Sequence, residues 1–394
     1  MKTIYLLTNS PGEVSTFARP MVRTLHQRHP DWNLQVCLVP CPYATGAEAS
    51  VISSWPESPS VWTPWQTTKA WFQAQGRGKE GAVVFLGGDP WHALALKRRF
   101  GLPAVAYFFE PNSWEGTRWL GGFDASVVGY ERPAGLNDKP ERRSIPDLRV
   151  DAVQERLQQG EPDGYEGLTL ALFPGSRWLH LKAVLGPFLH MFDEVSQRVP
   201  GVRLLIAASP FITREKLADA AAKPFNLALA RTTAELRGDA LVTERGTEAQ
   251  VVWGDPYKVM VECDMAVSLP GTNTAELAIA GKPTLIPLTS RVPVGGAGIL
   301  GLLDRVPGFS KLKRRLRERK KERLSLIALP NQLAGRVVMP EFMISDDMHE
   351  LIDLVAEILP DEERRSAIGH EAQDVMGPPG GAEQLARIIE ELVR

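Results

Sequence analysis

Four short loops carry the residue types from which chemistry could be built. The first, Thr8-Asn9-Ser10-Pro11-Gly12-Glu13, follows an apolar run and precedes an amphipathic one. A glycine such as Gly12 lets a ligand approach the backbone, and a helix start offers amide donors to an anion. The loop is not GxGxxG, and a plain tight turn would use the same residues. The second is Gly87-Gly88-Asp89-Pro90. Asp89 can cap a helix with Pro90 at its first position, or it can take a proton from an attacking hydroxyl; both uses need the same place. The third, Pro174-Gly175-Ser176-Arg177, sets a glycine, a hydroxyl and a guanidinium at a strand-to-helix turn, a diphosphate cradle in composition. In the fourth, Ser268 to Glu276, Gly271, Thr272, Asn273 and Thr274 offer donors at a helix start. Glu276 lies one turn in, where a carboxylate can accept both hydroxyls of a ribose. The competing reading is a capping box of Asn273 with Glu276.

The elements that must position these loops alternate in type. Ile4–Leu7, Leu34–Val39, Val83–Leu86 and Ala104–Tyr107 read as buried strands, with helical patterns at Phe17–His29 and Trp91–Phe100 between them. From Pro133 to Gly167 the chain turns polar, a crossing between domains with one short helix at Val153–Gln159. A second series follows: strands at Leu168–Phe173, Arg203–Ala207, Met265–Ser268 and Thr284–Pro287, with helices at His180–Arg198 and Thr274–Ala280. Helical patterns at Met348–Ile358, Glu362–Val375 and Ala382–Val393 end the chain. The expected fold is α/β, with two Rossmann-like domains facing a cleft. Residues 1–160 are expected to form one domain and 161–345 the other, with 346–394 as helices that pack back across both. Ligands then belong at the carboxyl ends of the strands.

Bulk properties exclude several classes. The 394 residues exceed one ordinary core. A net charge of -2, with 44% hydrophobic and 23% charged residues, gives no global reason to expect nucleic acid. Cys37, Cys41 and Cys263 make no disulfide or metal pattern, and the seven histidines show no ligand spacing. The opening apolar run is too short for a signal peptide, and no run has the ~18–20 apolar residues of a membrane span. A cytoplasmic protein is expected.

Taken in order, three motifs resemble those of the lipid A disaccharide synthases. They are Pro174-Gly175-Ser176-Arg177, then Gly271-Thr272-Asn273-Thr274-Ala275-Glu276 ahead of Gly281-Lys282-Pro283, then Leu329-Pro330-Asn331-Gln332-Leu333-Ala334-Gly335-Arg336 followed by Pro340-Glu341. The octet is the most specific. Gly12-Glu13 and Gly88-Asp89 fall where that family has its glycine–glutamate loop and its essential aspartate. The resemblance implies the GT-B architecture, with residues 1–160 as the acceptor-side domain and 161–345 as the nucleotide-sugar-binding domain, and an inverting transfer of an N-acetylglucosamine-type sugar, acylated or not, from a UDP-sugar to a lipid-linked acceptor. It implies Asp89 as base with Glu13 as the second catalytic candidate, and no cofactor. Arg177, with Gly175 and Ser176, and the Gly271–Thr274 loop would hold the diphosphate. Glu276 would hold the ribose, and Asn331 and Arg336 would line the cleft. No Asp-x-Asp motif occurs, in keeping with a leaving group stabilised without metal.

The sequence departs from the family at Val14-Ser15-Thr16, where the family reads Ser-Gly-Asp after its glutamate, and in the segment before the octet. Both departures bear on the acceptor and on the acyl pattern of the donor. The alternatives are an enzyme like the UDP-N-acetylglucosamine 2-epimerases, which lack the octet, or an inactive nucleotide- or lipid-binding relative.

Lys311 to Arg323 holds nine basic and two acidic residues, after an apolar cluster of Ile299, Leu300, Leu302, Leu303, Val306 and Phe309. A solvated helix face is the plain reading. The composition also suits an interfacial anchor with Leu302, Leu303, Phe309, Arg314 and Arg315 toward an anionic membrane, on the inner face of the cytoplasmic membrane. No aromatics interleave the run, which argues against nucleic acid. Trp62, Trp65, Trp71, Trp114 and Trp119 could wall an acyl or sugar site or simply pack a core. A homodimer is compatible with all of this.

Overall fold

The computed structural model of the chain describes residues 1–41, 44–72, 80–109, 120–129, 142–175, 178–210, 212–225, 229–288 and 326–393. They form two parallel-sheet α/β units. Unit 1 comprises Met1–Arg156 and Met376–Arg394, and unit 2 comprises Leu157–Val375.

In unit 1 the apolar runs become strands buried on both faces, as a parallel sheet covered by helices requires. The strands are β1 (Thr3–Thr8), β2 (Asn33–Leu38), β3 (Ser60–Trp62), β4 (Gly81–Phe85), β5 (Ala104–Phe108), β6 (Ala125–Val128) and β7 (Arg142–Ser144). Their order is β3-β2-β1-β4-β5-β6-β7, all parallel. The two-residue period of a strand divides the core. Ile4 and Leu6 of β1 join Phe17, Met21 and Leu25, while Tyr5 and Leu7 join Leu96 and Phe100 on the opposite face. A short 3-10 turn at Leu120–Gly122 and six further helical segments are found among the described residues of this part of the chain. The six are α1 (Pro11–Glu13), which widens into a π-turn at Val14–Ala18, then α2 (Arg19–Arg28), α3 (Glu48–Ser53), α4 (Pro64–Ala70), α5 (Pro90–Phe100) and α6 (Leu148–Gln159). The polar stretch after Pro133 therefore holds a strand and a longer helix than its composition suggested, and the division between units falls inside α6.

Unit 2 has strands β8 (Thr169–Phe173), β9 (Arg203–Ala208), β10 (Ala234–Arg237), β11 (Ala240–Thr243), β12 (Glu248–Trp253), β13 (Met265–Ser268), β14 (Thr284–Leu288) and β15 (Glu341–Met343). Their order is β10-β11-β12-β9-β8-β13-β14-β15, and only the β10–β11 and β11–β12 pairs are antiparallel. Its helices are α7 (Trp178–Arg198), α8 (Arg214–Ala222), α9 (Pro256–Glu262), α10 (Thr272–Ile279), α11 (Leu329–Ala334), α12 (His349–Ile358) and α13 (Glu362–Met376). Leu185, Phe188 and Phe192 of α7 pack with Leu351, Ile352 and Val355 of α12 and with Leu170 and Leu172 of β8.

The last helix, α14 (Gly381–Leu392), belongs to unit 1. Leu385, Ile388 and Ile389 enter the core beneath β1 and α2. The Asp151 carboxylate accepts from Gly380 N at 2.7 Å and Ala382 N at 2.9 Å, closing the helix start. At its other end Glu390 accepts from Arg28 Nε at 2.7 Å and Nη2 at 2.9 Å and lies 2.7 Å from His29 Nε2. Among the described residues no helix is long and apolar enough to cross a membrane.

Candidate active site

In each unit the strand order reverses direction at one place, and a crevice for ligands opens beside the carboxyl ends of the strands there. In unit 1 the reversal lies between β1 and β4. Leu86 N donates to Leu7 O at 3.0 Å, so the two strands end level and deliver Asn9–Glu13 and Gly87–Asp89 side by side. A Cβ on Gly87 would stand 2.1 Å from Glu13 Oε2, so the Glu13 carboxylate occupies the space a side chain would take. Gly88 has φ +87°, and a Cβ there would meet Val39 Cγ2 at 2.5 Å and Asn9 Nδ2 at 3.2 Å. Gly88 is demanded by its left-handed backbone and by Val39, and Gly87 leaves room for the Glu13 carboxylate of the first loop.

Asp89 sits at the N-cap of α5, yet its side chain makes no capping hydrogen bond. The capping use of this residue is therefore not taken up, and the carboxylate is not spent on its helix. Asp89 is half-buried, and desolvation holds its carboxyl above the usual aspartate range. One turn on, buried His92 stacks on Trp91 with ring centroids 3.9 Å apart, and burial pushes its pKa down to about 4. The imidazole is neutral near pH 7. The family departure at Val14-Ser15-Thr16 falls in the π-turn, where Thr16 Oγ1 donates to Gly12 O at 2.7 Å. The rewritten tripeptide is thus part of the backbone that holds Glu13.

In unit 2 the reversal lies between β8 and β13. Leu269 N donates to Phe173 O at 3.3 Å, which brings Pro174-Gly175 beside Leu269–Asn273. Gly175 is left-handed at φ +84°. The expected alternative for the fourth loop, a capping box of Asn273 with Glu276, does not form. The helix starts two residues earlier, at Thr272 with Gly271 as cap, and no side chain caps it. Asn273 is then within the first turn, and Glu276 is too far along for the reciprocal bond. Thr274 Oγ1 turns back to Gly271 O at 2.7 Å, and Gly271 and Thr272 lie exposed at the helix mouth. Glu276 is 6% exposed, and its Oε1 accepts from the Tyr257 hydroxyl at 2.9 Å. Nothing in the sequence spacing connects residues 257 and 276. They meet because α9 leads into β13 and α10 leads out of it.

The octet has a different job from the one its resemblance implied for Asn331. That side chain is fully buried; its Oδ1 accepts from Val338 N at 2.8 Å and Met339 N at 2.9 Å, and its Nδ2 donates to Met339 O at 2.8 Å. An amide so engaged pins its own chain rather than a ligand. Glu341 accepts from Ile327 N and Ala328 N, both at 2.8 Å, Gly335 ends α11 at φ +67°, and α11 packs against α10. The octet thereby braces the helix that carries Glu276. Arg336 is exposed and paired with Glu371. Ser176, Arg177, Leu302, Leu303, Phe309, Arg314 and Arg315 lie outside the described residues. No group of His, Cys, Asp or Glu suited to a metal occurs among the described residues.

No family model matches the chain. Among curated proteins it is similar to a lipid-A-disaccharide synthase of Syntrophotalea carbinolica, 27% identical over 356 residues that span 85% of this chain and 79% of that protein. A lipid-A-disaccharide synthase of Burkholderia pseudomallei is 28% identical over 235 residues, 60% of this chain and 46% of the relative, so that match spans under half the relative's length. Among solved structures, MurG of Acinetobacter baumannii superposes with a TM-score of 0.54 at 15% identity, covering 99% of this chain and 100% of that one. The S. aureus MnaA structure with UDP gives 0.57 at 12%, covering 99% and 96%. The UDP-GlcNAc 2-epimerase of Neisseria meningitidis bound to UDP-GlcNAc gives 0.55 at 11%, covering 99% and 100%. At these identities the structural likeness is one of fold, the GT-B fold. In sequence the chain is similar to curated lipid-A-disaccharide synthases, and in fold it has two parallel-sheet α/β units like those of GT-B structures.

Proposed function

We propose that the protein is an inverting glycosyltransferase that moves an N-acetylglucosamine-type sugar, acylated or not, from a UDP-sugar to a hydroxyl of a lipid-linked acceptor without a metal. The observation that carries the reading is the state of Asp89: a half-buried carboxylate at a switch-point strand end, raised in pKa and not spent on its helix. As the acceptor oxygen attacks the anomeric carbon, Asp89 takes its proton. The bond from that carbon to the diphosphate oxygen breaks, UDP leaves with the electron pair, and the configuration inverts. In unit 2 the uncapped start of α10 supplies amides and a helix dipole to the diphosphate, with Arg177 as the cation its motif provides, and Glu276 takes the ribose. His92, neutral near pH 7, is left to packing.

The relatives' names support the lipid acceptor, and the sequence motifs support transfer without a metal at the inner face of the cytoplasmic membrane. An epimerase-like reaction is the second reading, because several solved neighbours are UDP-GlcNAc 2-epimerases. Incubating the protein with UDP-N-acetylglucosamine and with its acylated form, each with and without a lipid A precursor monosaccharide and with EDTA throughout, tests the proposal. Acceptor-dependent UDP release supports it. Formation of UDP-N-acetylmannosamine without acceptor supports the epimerase, and no turnover with retained UDP binding supports an inactive relative.

A further inference from the structure

Glu276 does not stand alone. Tyr257, the second residue of α9, is 8% exposed, and its hydroxyl donates to Glu276 Oε1 at 2.9 Å. Asp255 caps α9 by accepting from Tyr257 N at 3.1 Å and Lys258 N at 3.3 Å, so the turn that carries the ring is held at its first residue. Tyr257 and Glu276 thus lock together the helix that enters β13 and the helix that leaves it.

A glutamate has three torsions, and a carboxylate that must accept a ribose diol is useful only in one orientation. A donor of defined direction on Oε1 restricts the carboxylate to a narrow set of orientations. We propose that Tyr257 is a positioning residue for nucleotide recognition: its hydroxyl aims the Glu276 carboxylate so that the site selects a ribonucleotide over its 2′-deoxy counterpart. This rests on the nucleotide-sugar reading above. The plain rival is a phenol that merely satisfies a buried carboxylate, which would matter for stability and not for the sugar of the nucleotide.

The experiment is calorimetric titration of UDP and of 2′-deoxy-UDP into wild type, Tyr257→Phe, Glu276→Gln and the double variant, with thermal unfolding of each. Tyr257→Phe keeps the ring and removes only the donor. The expected result is roughly a tenfold loss of UDP affinity in Tyr257→Phe, the scale of one hydrogen bond to a charged group. Affinity for 2′-deoxy-UDP should stay within about twofold, and the loss should vanish in the Glu276→Gln background. Equal losses for both nucleotides, or a lower melting temperature with unchanged affinity, overturn the proposal in favour of the packing role. If Glu276→Gln does not fold, the comparison of the two nucleotides in Tyr257→Phe decides by itself. A wild type that binds UDP without any of these differences sinks Tyr257 alone, whereas a wild type that binds no UDP sinks the nucleotide-sugar reading and this inference with it.

Discussion

The Glu13 carboxylate rests on Gly87, at the point where a methyl group on that glycine would lie 2.1 Å from Oε2. Two loops separated by more than seventy residues are thereby fitted to one another at the switch point of unit 1. The contact is with the far end of a flexible side chain, so the fold can yield where the site cannot. Gly87→Ala should lower the melting temperature only slightly while moving the carboxylate by an ångström or more. Displacements of that size at a reacting centre cost about a hundredfold in rate. Turnover and thermal unfolding measured on the same preparation check this, and unchanged turnover would make Glu13 a packing residue.

Asp89→Asn removes the base without touching a cap that the aspartate does not make. Turnover should drop by ~10²–10⁴-fold, with UDP affinity and melting temperature close to wild type. The pH profile carries a second check. A base works deprotonated, and burial raises this carboxyl above 3.8. Activity should therefore fall with decreasing pH along a limb placed higher than an ordinary aspartate would put it, and Asp89→Asn should abolish that limb. A variant of full activity would return Asp89 to a scaffold role.

The anchor of α14 should be visible as a pH effect on stability. Arg28, chiefly, with His29, holds the Glu390 carboxyl down from 4.5 to about 2. A depressed carboxylate contributes its stability above the unfolded value and loses it as pH falls through the folded one. Glu390→Gln should thus melt below wild type at pH 7, and the gap should close between about pH 4.5 and about 2. A gap independent of pH would mean that the ion pair adds nothing beyond packing.

For the stretch Ile299–Arg323 the expected behaviour is co-sedimentation with vesicles that requires anionic lipid and weakens with salt, since each basic residue near such a surface adds roughly 1 kcal/mol. Leu302→Ser, Leu303→Ser and Phe309→Ser together should remove a salt-resistant part of the binding. Equal binding to neutral vesicles, or none to either, returns the stretch to a solvated face and leaves the acceptor free to be water-soluble.

The central strands were legible because parallel strands buried on both faces must be continuous apolar runs, as in Ile4–Leu7 and Leu168–Phe173. What escaped the sequence reading is what breaks that rule. β10 to β12 pair partly antiparallel near a sheet edge and alternate polar with apolar residues, as in Glu235, Arg237, Glu248 and Gln250, so no apolar run marks them. Of the site, the loops were legible, because glycine, proline and a lone carboxylate at a strand end are written locally. Tyr257 was not, since its partner is set by α9 leading into β13 and α10 leading out of it and not by spacing. At Asn331 the octet implies a cleft-lining residue, whereas the side chain is spent on Val338 and Met339 backbone, a use that a motif does not announce.

The route of the chain through its two units has a consequence for synthesis. Unit 2 is one continuous stretch, whereas unit 1 is interrupted after Arg156 and resumes only at Met376. At ~5–20 residues per second a ribosome takes roughly ten to fifty seconds to cover that interval. Throughout it the core face that receives Leu385, Ile388 and Ile389 has no cover of its own. Unit 2 can complete its fold while the sheet that holds Asp89 still waits for α14, so the half of the protein that begins first is finished second, and it is the nascent unit 1 that offers chaperones an exposed apolar surface.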